Sequence, residues 1–154
     1  MRFRTHLAFG ILCGLFALPF VKGIHWIVFF ALVMLGSLFP DIDHPQSKIG
    51  RKVGFVSKLA NTLGGHRGMT HSAFFLVGLP LLVGYLFGYV YGLAFFIGYL
   101  SHLLIDSVNP KGINYLNPIT TLRMHGFIET GSAGEMVVLV LLIMVIGLKL
   151  LKVF

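Results

Sequence analysis

The sequence predicts an all-α, polytopic membrane helical bundle, with about five transmembrane helices and two long cytoplasmic loops. Three observations carry this expectation. Hydrophobic residues make up 56% of the 154-residue chain and charged residues only 11%, too little polar surface to cover a water-soluble globule of this size. The apolar residues gather into five stretches that approach the length needed to cross hydrocarbon. Two long polar segments separate them, and the histidines and acids concentrate there. One membrane-embedded domain, 1–154, is expected.

The stretches span approximately 7–21, 24–39, 73–90, 91–105 and 133–151. The first, second and fourth are short for a hydrocarbon core of roughly 30 Å, so bilayer thinning, snorkelling or burial in protein must make up the difference. A four-span reading stays open. Glycines recur within the spans (Gly10, Gly14, Gly36, Gly78, Gly84, Gly88, Gly98), as expected where helices pack closely in lipid. Cys13 stands alone in an apolar stretch, which excludes an internal disulfide and a thiolate metal site and leaves packing as its role. The basic start, Met1 to Arg4, precedes an apolar run as a signal peptide would, but no small-x-small cleavage site follows. The segment is expected to be retained.

Tight connections at Lys22-Gly23 and around 88–92 alternate with the long segments 40–70 and 107–132, which places both long segments on one side. Within the first, Ile49, Val53, Val56, Leu59 and Leu63 recur at helical spacing among Lys48, Arg51, Lys52 and Lys58, a pattern suited to the lipid surface. Nine basic residues (Arg2, Arg4, those four, Arg67, Lys111 and Arg123) fall on the long-loop side, against Lys22, Lys149 and Lys152 opposite. That bias predicts a cytoplasmic amino terminus and cytoplasmic long loops. It also accounts for the net charge of +7. No dense Arg/Lys stripe with interleaved aromatics is present, so nucleic acid is not an expected partner.

All five acids, Asp41, Asp43, Asp106, Glu129 and Glu135, and six of seven histidines map to the long-loop side. The exception, His25, sits beside Trp26 as an interfacial anchor would. His6 opens the first helix after Thr5, read as its N-cap. Pro40-Asp41-Ile42-Asp43-His44-Pro45 follows the second, and an extended backbone would aim Asp41 and Asp43 the same way; a helix-ending turn is the plain alternative. His66-Arg67-Gly68-Met69-Thr70-His71-Ser72 leads into the third helix. Its histidines would stand about 140° apart on a regular helix, and a turn at Gly68 could bring them together. His102 and Asp106 are four apart on the fourth helix, hence on one face, the spacing with which a helix offers two ligands to one metal. A hydrogen-bonded pair capping the helix is the alternative there, but ionisable groups beside lipid generally face a site or a partner. Glu135 opens the fifth helix as a ligand, an orienter of a histidine, or a carboxylate favoured by the helix dipole.

Imidazole and carboxylate donors without thiolate suit Zn²⁺ first, with Mn²⁺ or Fe²⁺ as alternatives. Seven candidate ligands (His6, Asp41, Asp43, His66, His71, His102, Asp106) exceed the needs of one ion, so two are expected. A pair about 3.5–4 Å apart, bridged by Asp41 or Asp43, would acidify a water and clamp a phosphoryl or acyl oxygen. Arg67 and Lys111 could bind an anionic substrate or serve topology and lipid headgroups.

At these residues the sequence resembles the YdjM-like family of LexA-binding, inner-membrane-associated metal-dependent hydrolases. The resemblance covers nearly the whole chain. It rests on the ordered series His6-x-x-x-Gly10, Pro40-Asp41-Ile42-Asp43-His44, His66-Arg67-Gly68-Met69-Thr70-His71-Ser72, His102-x-x-x-Asp106 and Thr130-Gly131-Ser132-x-x-Glu135. It implies a prokaryotic inner-membrane location and a hydrolase role. The Pro-Asp and His-x-x-x-Asp elements are more loosely similar to zinc-dependent phospholipase C and single-strand nucleases. The chain lacks the further downstream His and Glu ligands of those enzymes, so a three-ion site is not expected.

The expectation is a membrane-embedded, metal-dependent hydrolase acting on a small-molecule or lipid-linked phosphoester at the cytoplasmic face. The seven ligands would hold metal, Arg67 would stabilise charge, and Glu135 or His44 would assist. The alternative is a non-catalytic membrane protein whose metal staples the helix ends.

Overall fold

The computed structural model describes residues 1–43 and 69–152. It is helical in these residues, with five α-helices: α1 Phe3–Ala17, α2 Trp26–Leu38, α3 Ala73–Phe87, α4 Tyr89–Ser107 and α5 Ala133–Leu150. Short 3₁₀ turns follow α1 (Leu18–Phe20) and α2 (Phe39–Asp43) and precede α3 (Met69–His71). Phe3–Phe20, Tyr89–Ser107 and Ala133–Leu150 are long and apolar enough to cross a membrane; Trp26–Ile42 and Ala73–Phe87 are shorter apolar helices. The five expected helices are present.

Helix α4 is the axis of the bundle. It buries Phe95, Tyr99 and Leu103 with Ile113 in one apolar cluster, while Ala94 joins Phe29 and Val33 of α2 in a second. Between lipid-exposed helices the hydrophobic effect supplies little drive, because lipid is as apolar as leucine; close van der Waals packing must supply it. Gly36 and Gly98 show how. A Cβ on Gly36 would overlap the Phe95 carbonyl oxygen, and one on Gly98 would overlap the Val33 carbonyl oxygen. The two glycines thus let the α2 and α4 backbones touch from both sides. The α3–α4 hairpin turns at Gly88, whose φ of +111° is open to glycine and strained for other residues. The break therefore falls two residues earlier than the apolar pattern alone suggested.

Helix α5 packs against α1 along one side and leaves the rest of its surface open, with Glu135 as its only buried residue. An all-round apolar helix left so exposed belongs in lipid. At the opposite end of α2, the exposed His25 side chain accepts from Ile27 N and stacks on Trp26 at 5.8 Å between centroids, consistent with an anchor at that interface.

Candidate metal centre

The long-loop ends of four helices, α1 to α4, converge on one buried cluster. His6 comes from the first turns of α1, His102 and Asp106 from the last turns of α4, Asp41 from the 3₁₀ turn after α2, and His71 from the turn before α3. His6, His71 and His102 are each fully buried, and Asp106 is 2% exposed. Asp41 keeps 20% of its side chain accessible, so it forms the open edge.

Hydrogen bonds orient the imidazoles. His102 Nδ1 lies 2.7 Å from the Ser37 carbonyl oxygen. A carbonyl can only accept, so the ring proton sits on Nδ1 and the lone pair on Nε2. Nε2 is buried, has no hydrogen-bond partner, and lies 3.9 Å from Asp41 Oδ1. Two electron-pair donors thus face each other with no proton between them. Two ligand bonds of about 2.0–2.2 Å span up to about 4.0–4.4 Å, so this gap suits a cation. His6 repeats the pattern: its Nε2 is 3.2 Å from the Met1 carbonyl and 3.4 Å from Asp106 Oδ1, both acceptors, leaving a buried, unpartnered Nδ1. The His6 and His102 rings stack with centroids 3.9 Å apart and planes 6° apart. His71 meets His102 edge-on at 5.3 Å.

Two triads result, His6–Asp41–His102 and His71–His102–Asp106, each with donor atoms within 4.8 Å of one another. Residues of this cluster could hold a metal ion after a small inward movement. Because both triads draw on His102, whose Nδ1 is committed to Ser37, its single Nε2 lone pair serves one ion. The two triads therefore share one donor, and His6, Asp41, His71 and Asp106 are the others the described residues offer.

Neighbouring groups complete the cluster. Thr70 Oγ1 is 3.1 Å from His71 Nδ1, and the Tyr99 hydroxyl donates to the Thr70 carbonyl at 2.6 Å. The Met1 amino group donates to Asp106 Oδ1. Glu135, 3% exposed, does not join a triad. Its carboxylate accepts from Arg2 N–H, from Thr5 Oγ1 at 2.8 Å and from Gly131 N–H at 2.5 Å. It ties the start of α5 to the start of α1, one residue from His6.

Of the seven ligands expected, the structure brings together His6, Asp41, His71, His102 and Asp106. His66, with Arg67 and His44, lies outside the described residues. Asp43 ends the turn after α2, and that turn is 3₁₀ rather than extended, so the alternation argued for Asp41 and Asp43 does not apply. Thr5 is not the N-cap of α1 either; Arg2 is. The Thr5 hydroxyl goes instead to Glu135. Ser37, Thr70 and Tyr99 were not anticipated. Ser37 acts through its backbone carbonyl, since its hydroxyl goes to the Met34 carbonyl, and residue type does not announce such a contact. Thr70 touches its neighbour His71, and Tyr99 acts through Thr70, a partner distant in sequence.

The class this defines is a helical integral membrane protein with a buried His/Asp cluster that could hold a metal, at one end of its bundle. The chain belongs to the YdjM inner membrane protein family, whose model matches residues 1–153. It is 35% identical to protein YvsG of Bacillus subtilis (strain 168) over 138 residues, covering 88% of this chain and 86% of that one. It is 34% identical to the inner membrane protein YdjM of Escherichia coli (strain K12) over 135 residues. That match covers 77% of this chain and 66% of YdjM, so the chain spans just under two thirds of that relative. The YdjM of Shigella flexneri matches to the same extent. No solved structure matches the chain significantly.

Proposed function

We propose that the protein is a membrane-embedded, metal-dependent hydrolase acting on a phosphoester at the cytoplasmic face. The observation that carries the reading is the donor set of His6, Asp41, His71, His102 and Asp106, with the His102 lone pair aimed at Asp41. Ring N–H groups fixed by backbone carbonyls are the usual support of metal-binding imidazoles. A divalent ion there, Zn²⁺ ahead of Mn²⁺ or Fe²⁺, supplies Lewis acidity and an acidified water. The partly accessible Asp41 marks the side from which substrate and water arrive. The nine-to-three basic bias orients this end to the cytoplasm. If a second ion binds, Asp43 and His66 are its candidate donors, and Arg67 and His44 are candidates to assist the reaction.

The test is a screen of phosphoesters with detergent-purified protein, with and without chelator. The expected outcome is turnover that chelator abolishes, that added metal restores, and that Asp106→Ala lacks. Turnover indifferent to both chelator and Asp106→Ala would overturn the reading.

Complete burial of three imidazoles also favours a second reading, in which the metal staples the helix ends and catalyses nothing. Thermal unfolding separates the two. A large fall in stability on metal removal, with no turnover of any phosphoester, selects the staple.

A further inference from the structure

The segment between α4 and α5, residues 108–132, is a folded unit with two unlike faces. Inward, Ile113 is fully buried against Tyr99 and Leu103, and the Tyr115 and Ser107 hydroxyls meet at 2.5 Å. Ile113 and Met124 exchange backbone hydrogen bonds of 2.9 Å in both directions. The Asn109 amide donates to Thr130 Oγ1 at 2.8 Å while its oxygen accepts from Lys111 N at 3.0 Å. The Asn114 oxygen accepts from Leu116 N at 3.1 Å. These bonds fix which side chains face outward.

Those that do are large and apolar: Leu116 is 52% exposed, Ile119 70%, Leu122 81%, Met124 65% and Phe127 86%. A segment pinned so firmly, yet presenting five such side chains, is built to rest on an apolar phase. Connectivity says which one. The segment leaves α4 at Ser107 and enters α5 at Ala133, both at the cluster end of the bundle, where a membrane-spanning helix meets the headgroups. Two exposed cations, Lys111 and Arg123, flank the apolar face and complement lipid phosphates.

We infer that residues 116–127 dip into the headgroup and acyl boundary of the protein's own membrane, with Lys111 and Arg123 on lipid phosphates. The segment is an interfacial anchor beside the cluster. This holds independently of whether the cluster hydrolyses anything.

Depth-dependent fluorescence tests it. The chain has one tryptophan, Trp26, so Trp26→Phe supplies a silent background for Leu122→Trp or Phe127→Trp, both at exposed positions. Each protein is placed in vesicles of phosphatidylcholine and phosphatidylglycerol containing lipids brominated high on the acyl chain. The expected result is quenching as strong as that of native Trp26 in the parent protein, with protection from aqueous acrylamide. Adding Lys111→Gln and Arg123→Gln is expected to weaken the bromolipid quenching. Quenching by acrylamide without bromolipid quenching at both positions would overturn the inference in favour of a water-exposed face. Protection from both quenchers would overturn it in favour of a protein partner.

Discussion

Glu135 shows most clearly how a single residue shapes the cluster. Its carboxylate satisfies the Arg2 and Gly131 N–H groups and the buried Thr5 hydroxyl, so it holds the first turn of α1, and with it His6, against α5. Removing a buried acceptor leaves its donors unpaired, at about 1–3 kcal/mol for each group that cannot find water. Glu135→Ala is therefore expected to destabilise the protein by about 1–3 kcal/mol, read as a lowered midpoint of thermal unfolding in detergent. An unchanged midpoint would mean the clasp contributes nothing. At this scale the sequence was legible in part. The spacing of His102 and Asp106 announced a shared face, because four residues make one helical turn. The Ser37 carbonyl on His102 and the three donors on Glu135 were not legible, because backbone partners brought together by tertiary packing leave no trace in residue type.

Among the elements, the α2–α4 contact decides whether the cluster forms, since it sets Ser37 and Asp41 against His102. Gly98 lies against the Val33 carbonyl and Ser37 N, whereas nothing lies within 4 Å of a Cβ placed on Gly147 of α5. Gly98→Val is expected to cost at least the about 1–3 kcal/mol of an overpacked core, with loss of folded protein. Gly147→Ala is expected to be neutral or stabilising by about 0.5–1 kcal/mol. Thermal unfolding of the two side by side checks the argument, and equal effects would contradict it. The apolar runs revealed that these helices exist, but not where they end. Helix α1 begins at Phe3 rather than near residue 7, because Arg4, Thr5 and His6 look like a polar lead-in until a buried site accommodates two of them. The glycine-rich spans likewise announced close packing without showing which glycines face a backbone.

On the scale of the whole molecule, the alternation of helices puts every long-loop end on one side, and the basic residues follow. An odd number of crossings would place the carboxyl terminus opposite the cluster. A reporter fused at the carboxyl terminus is expected to read periplasmic, and one in the segment 108–132 cytoplasmic. A cytoplasmic carboxyl terminus would contradict five crossings. The membrane class followed from composition, since no soluble fold could hide so much apolar surface, and the helices from the five apolar stretches. Gathering His6, Asp41, His71, His102 and Asp106 from four separate helix ends required the fold, because sequence spacing speaks only for neighbours.

A divalent ion held by this cluster would show first in the metal content of the purified protein. Protein purified without chelator, then exposed to Zn²⁺, Mn²⁺ or Fe²⁺ and desalted, is measured by elemental analysis beside His102→Gln, which removes the donor common to both triads. At least one tightly held ion per chain is expected in the native protein, and its loss in a His102→Gln protein that remains helical. A native protein that retains no ion, or a His102→Gln protein that retains as much, would contradict metal binding by this cluster.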